Sequence, residues 1–223
     1  AFTGMVSHAT WAMFCKNGSD ATTIALMAAR AQTKRNAIVR ATGAYHGAQP
    51  WSNPRPAGTS PGDRAGQHFC TYNDTASLEE AVKAAGDDLA AIFVSPFRHD
   101  TFQDQFLPTR EFAQRCRELA DKTGALLIVD DVRGGFRVSR DCSWSIVGVE
   151  PDISCWGKTI ANGHPISAVL GSDRARPGAS SIFTTGSYWF AAAAMAAGLA
   201  TLKLIRETDY LERLNAMGDQ LRA

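Results

Sequence analysis

Two runs, LAAIFVS at 89–95 and ALLIVDD at 125–131, are apolar almost without interruption, and both are too short for a helix of ordinary length. A strand with one wet face alternates polar and apolar residues, whereas a run without alternation must be covered on both faces. Between the two lies TREFAQRCRELADKTG (109–124), whose apolar residues recur at helical spacing and which stops at Gly124; SLEEAVKAA (77–85) precedes the first run as another helix. Short buried strands alternating with helices imply βαβ units. The expected fold is α/β, a three-layer arrangement in which a mostly parallel sheet is flanked by helices.

The remaining segments extend this plan. AMFC, KNGSD and ATTIALMAARAQ, over 12–32, read as strand, turn and helix, with Gly18 giving the turn and Ser19 or Asp20 capping the helix by accepting orphan backbone N–H bonds. AIVRA (37–41) is a further strand, and QPWSNPRPAGTSPGDRAGQ after it must be a long loop, expected near a site. ISAVLGS (166–172) reads as a strand and WFAAAAMAAGLATLKLIRE (189–207) as a helix. No repeat or second domain interrupts residues 1–223. The start at AFTGMV and the close at GDQLRA, inside a helical pattern, read as a piece of a longer polypeptide.

Composition narrows the function. The chain is 45% hydrophobic with net charge +1, enough for a sizeable core and without the basic cluster that nucleic acid or an anionic membrane surface would require. No apolar run approaches the ~20 residues of a spanning helix, and the N-terminus lacks a signal-peptide plan; a cytoplasmic location is expected. Cys15, Cys70, Cys116, Cys142 and Cys155 form no CxxC pair, and the histidines lack ligand spacing, so neither a disulfide framework nor a metal site is expected.

In open parallel sheets ligands bind beyond the carboxyl ends of the strands. Four features fall at such ends: NGS at 17–19, YHG at 45–47, DDV at 130–132, and Lys158 in PDISCWGKTIANGHP. Each alone has a plain explanation: a capped turn, a half-buried aromatic, a solvated acid, a lysine reaching water. Together they describe a pyridoxal-phosphate site. The helix start seats the phosphate, Tyr45 offers an aromatic face, Asp130 holds the protonated ring nitrogen, and Lys158 supplies the amine that forms an imine with the aldehyde. Such a lysine is expected to be desolvated, which eases its deprotonation.

The order and wording of these segments resemble the large domain of class III (fold type I) pyridoxal-phosphate-dependent aminotransferases, nearest the glutamate-1-semialdehyde aminomutase branch, from about residue 12 to 206. The blocks that carry the resemblance are FCKNGSDATTIALMAARAQTKRNAIVRATGAYHG, TYND (71–74) with SLEEAV, GALLIVDDVRGGFRV (124–138), PDISCWGKTIANGHPISAVLG (151–171) and GSYWFAAAAMAAGLATL (186–202). The resemblance implies that Lys158 is the Schiff-base lysine and general acid/base, and that Asp130 pairs with the pyridine nitrogen. It further implies that Val132 and Tyr45 cover the two ring faces, that Gly18 and Ser19 hold the phosphate, and that Ser187, or Thr185 beside it, reaches the phosphate of a partner subunit. The implied protein is a homodimer with shared active sites that moves an amino group from a small-molecule donor to a keto acid or aldehyde. The intramolecular aminomutase reaction uses the same residues; a non-catalytic scaffold on the same fold is the alternative of another class. Residues 1–223 would be the cofactor-binding large domain, with neither half of the family's small domain evident.

Some positions depart from the family pattern. Asn17-Gly18-Ser19 replaces Ser-Gly-Thr, Asp131 replaces Glu and Gly134 replaces Thr or Ser. Arg133 stands where Gln or Met is common, which puts a cation where a Gln would donate to the cofactor's phenolic oxygen. SPF and RHDTFQDQFLP replace the family's Glu-Pro-Val and glycine-rich run, so Arg98, His99 and Asp100 either line the substrate side or form a surface turn. His46 and Arg137 follow the pattern as structural hydrogen-bonding groups.

Overall fold

A computed structural model describes residues 1–100 and 104–223; positions 101–103 of the RHDTFQDQFLP segment lie outside the described residues. One sheet contains β1 (Trp11–Cys15), β2 (Ala37–Ala41), β3 (Gln67–Cys70), β4 (Leu89–Val94), β5 (Leu126–Asp130), β6 (Ile153–Trp156) and β7 (Ser167–Gly171), in the spatial order β1-β7-β6-β5-β4-β2-β3. From β3 through β2, β4 and β5 to β6 the pairing is parallel, and β7 runs against both β6 and β1. All strands but β7 therefore point the same way, as the sequence pattern implies.

The helices are α1 (Gly18–Thr33), α2 (Thr75–Ala85), α3 (Arg110–Thr123), α4 (Arg176–Ser181), α5 (Ala192–Glu207) and α6 (Tyr210–Arg222). Side chains alternate across the sheet into two cores. Phe93, Ile128 and Ile153 pack with Ile24, Ala25 and Ala28 of α1 and Ala179 of α4. Val94, Leu127 and Val129 pack with Leu78 and Val82 of α2, Phe112 and Cys116 of α3, and Leu202 of α5. Each fully buried Leu, Ile or Phe contributes about 1.5–3 kcal/mol, and this double cover is why β4 and β5 read as unbroken apolar runs.

Three expectations change. β3 is a strand that its partly exposed, polar QHFC did not announce, because an edge strand has only one neighbour to satisfy. The N-cap of α1 is Asn17 rather than Ser19 or Asp20: its extended backbone and its side chain, which accepts from the Asp20 amide, close the first turn two or three residues earlier. The proline-rich stretch 49–66 also adds no lining residue to the site below. It is fastened over the sheet instead: the buried Arg40 guanidinium donates to the Trp51 and Ser52 carbonyls, and the Trp51 ring packs on Phe93.

Candidate functional site

The carboxyl ends of β1, β2, β4, β5 and β6 meet at one edge of the sheet, and the residues that leave them line a cavity of about 440 Å³. β1 delivers Asn17, Gly18 and Ser19; β2 leads to Tyr45, His46 and Gly47; β4 leads to Pro96 and His99; β5 ends at Asp130 with Val132 and Arg133; β6 leads to Lys158. Asp130 stands opposite Cys155 in the β5–β6 ladder, and Lys158 follows three residues later, so the carboxylate and the amine come from neighbouring parallel strands.

Lys158 takes a left-handed backbone conformation, φ +44°, in the turn that ends β6. Residues other than glycine adopt it at a cost of order 1–3 kcal/mol and tend to do so at functional sites. Lys158 is exposed on the cavity rather than desolvated. The chain's own atoms leave the mouth of the cavity open, which keeps the amine in contact with solvent.

Asp130 is only 7% exposed. Its Oδ2 meets Nδ1 of His46 at 2.8 Å and its Oδ1 accepts from the Val132 amide at 3.2 Å. Burial holds the His46 imidazole below its ordinary pKa, opposed by Asp130. A neutral His46 that donates from Nδ1 fixes the direction of the carboxylate. The Nε2 of His46 is buried without a partner among the described residues. The ring rests on Phe93, 4.7 Å away, and the His46 carbonyl accepts from the Thr22 hydroxyl at 2.6 Å, which ties the Tyr45–Gly47 loop to α1.

The start of α1 is built for close approach. A Cβ on Gly18 would lie 2.7 Å from Cγ1 of Val132, and one on Gly47, which has φ +119°, would lie 2.7 Å from Oγ of Ser19. Glycine at both positions lets the helix start, the β5 loop and the Tyr45 loop converge. Asn17 and Asp20 cap reciprocally, Asn17 Nδ2 donating to Asp20 Oδ2 at 2.9 Å, while the first amides of the helix have no intrahelical acceptor and form a positive seat for an anion. The Asn-x-x-Asp spacing was the signal for this cap.

Tyr45, 42% exposed, stands at the mouth with its ring 6.3 Å from that of His99. Thr185 and Ser187 are not among the residues that line this chain's cavity; both are exposed in the segment before α5. The cavity thus brings together Lys158, Asp130, Val132, Tyr45, Gly18 and Ser19, and adds Asn17, Thr22, Pro96 and His99. A glycine-lined helix start, a buried carboxylate steered by a histidine, a branched side chain, an aromatic ring and an open amine fit a flat, phosphate-bearing heterocycle with a carbonyl group.

Comparison with known proteins agrees with this geometry. The family model for aminotransferase class-III matches residues 4–223. Aminopentol aminotransferase of Sphingopyxis macrogoltabida is 60% identical over 223 residues, covering 100% of this chain and 53% of that protein. Glutamate-1-semialdehyde 2,1-aminomutase of Neisseria meningitidis serogroup C is 33% identical over 92% of this chain and 51% of that protein. The solved structure of the Sphingopyxis sp. MTA144 FumI protein, in its PLP internal aldimine form, superposes with a TM-score of 0.97 at 59% identity, covering 99% of this chain and 53% of that one. The chain spans about half the length of the curated relatives it matches.

Proposed function

The chain belongs to the class-III aminotransferase family, and from that premise we propose that its cavity holds pyridoxal 5'-phosphate and that the whole protein transfers an amino group from a small amine to a keto acid or aldehyde. The observation that carries this reading is the opening of Lys158 and Asp130 onto one cavity that also receives the start of α1. When bound, the cofactor supplies a carbon that carries the amino group and a ring that takes up the electron pair left by proton removal.

The chain's own residues divide the remaining work. The amides of Gly18 and Ser19 hold the phosphate at the positive helix end. Val132 and Tyr45, both in the cavity lining, would cover the two faces of the ring. Asp130, aimed by His46, would face the ring nitrogen and hold its proton. Lys158 would anchor the cofactor through its amine and, as general base and acid, would take up and return the substrate proton. Ser187, with Thr185 beside it, reaches the phosphate in the partner's site. Phe183, Tyr188 and Phe190, which flank these two residues, are 87%, 76% and 71% exposed, and an apolar patch of that kind supports a covering partner and hence a homodimer. Among the described residues no helix is long and apolar enough to cross a membrane, and a cytoplasmic location remains the reading we favour.

The name of the 60% identical relative makes an aminopentol the first donor to test. The full-length protein should show visible absorption near ~420 nm from lysine-bound cofactor, and Lys158→Ala should abolish both the band and turnover. Turnover near wild type in Lys158→Ala would refute the assignment of the lysine, and a protein that stays colourless with added cofactor would favour a scaffold. Product that forms without consumption of an acceptor would favour the aminomutase reaction.

A further inference from the structure

Arg133 has no role in the chemistry above, yet it does not sit like an ordinary surface arginine. Its guanidinium carbon lies 5.8 Å from the centre of the Phe97 ring. His99 meets the same ring edge-on, at 5.9 Å and 82°. Phe97 is thus a common platform for two polar side chains that both line the cavity. No carboxylate among the described residues pairs with the Arg133 guanidinium. Asp130, the one carboxylate among the described lining residues, is already engaged by His46 and the Val132 amide.

Resting on the amino-transfer reading, we propose that Arg133 determines acceptor specificity: its guanidinium takes the carboxylate of a 2-keto acid, and His99 offers a neutral hydrogen-bonding ring beside it. A guanidinium matches a carboxylate in a planar, two-point contact, and the cation–π contact with Phe97 places the group over that ring before a ligand arrives, which lowers the ordering cost of binding. Burial, reinforced by the charge of Arg133, lowers the His99 pKa to about 4, so near neutral pH this ring adds no second cation and can still donate or accept. The phosphate seat draws on residues 17–19, after β1, whereas Phe97, His99 and Arg133 leave β4 and β5. The two anion sites are therefore built from different segments.

The test uses the full-length protein and two acceptors that differ only in the carboxylate, 2-oxobutanoate and propanal. Arg133→Gln should lower the ratio of kcat/KM for 2-oxobutanoate to that for propanal by about 10- to 100-fold, the usual range for a lost charge-assisted contact. Arg133→Lys, which keeps the charge and loses the fork, should recover part of the ratio. An independent readout is calorimetric titration with butanoate, a carboxylate that cannot accept an amino group, whose Kd should rise about tenfold in Arg133→Gln. Equal losses on both acceptors, the pattern of a contact to the cofactor ring, would overturn the proposal, as would an unchanged ratio with unchanged butanoate binding. A wild-type protein that transfers no amino group to either acceptor would instead sink the function reading itself.

Discussion

Asp130 and Asp131 are neighbours in sequence with opposite environments. Asp130 faces the cavity with two N–H donors on its oxygens. Asp131 is fully buried; Oδ2 accepts from the Ser143 amide at 2.8 Å and Oδ1 has no partner among the described residues. Burial raises its pKa from 3.8 to about 6, against the pull of the Ser143 hydrogen bonds. A carboxyl group whose folded pKa is raised favours folding at low pH, and that contribution disappears as pH rises from 3.8 through about 6. Asp131→Asn cannot ionise, so its stability relative to wild type should improve by roughly 1–3 kcal/mol between pH 4 and pH 7.5. Urea unfolding at the two pH values measures this, and an identical difference at both would show that Asp131 titrates normally. Asp130→Asn addresses the other side of the pair. It should retain cofactor but slow proton removal by roughly 10²-fold or more, visible in single-turnover kinetics; a rate within a factor of two of wild type would mean that another group protonates the ring.

At the scale of elements, the cavity depends on how closely α1 approaches the loop after β5. The 2.7 Å between a Gly18 Cβ and Val132 Cγ1 leaves no room for a methyl group. Gly18→Ala should destabilise by about 1–3 kcal/mol through overpacking, and Val132→Ala in the same chain should relieve most of that strain. A double-mutant cycle in urea that shows simple additivity would mean that the two elements do not press on each other. β4 and β5 were legible in the sequence because burial on both faces removes polar alternation, and Asp130 was legible because an acid follows such a run directly. β3 was not, since an edge strand carries polar residues such as Gln67 and His68 without penalty. The cap was misplaced by two or three residues because Asn17, Ser19 and Asp20 are all competent acceptors, and only the backbone conformation chooses among them. Nor could the left-handed turn at Lys158, the open mouth around its amine, or the shared platform under Arg133 and His99 be read from residue types, because each depends on segments distant in sequence.

At the scale of the whole molecule, the proposed homodimer predicts that one subunit completes the proposed phosphate seat of the other. Thr185 and Ser187 lie outside this chain's own cavity lining, in an exposed segment flanked by exposed aromatic rings. If they serve the partner's site, a hybrid dimer separates the two arrangements without any change in fold. One subunit carries Lys158→Ala; the other carries Thr185→Val together with Ser187→Ala. With sharing, one site of the hybrid loses the lysine and both hydroxyls, while the other combines an intact Lys158 with intact Thr185 and Ser187, so the hybrid should regain about half the wild-type activity per dimer. Without sharing, every intact lysine sits beside the altered hydroxyls and no site is whole. Mixing the two homodimers under subunit exchange, then assaying the hybrid purified by differential tags, reads this directly. Activity no higher than that of the Thr185→Val, Ser187→Ala homodimer would place the two residues in their own subunit's site or outside both, and would remove the strongest reason to regard the dimer as the catalytic unit.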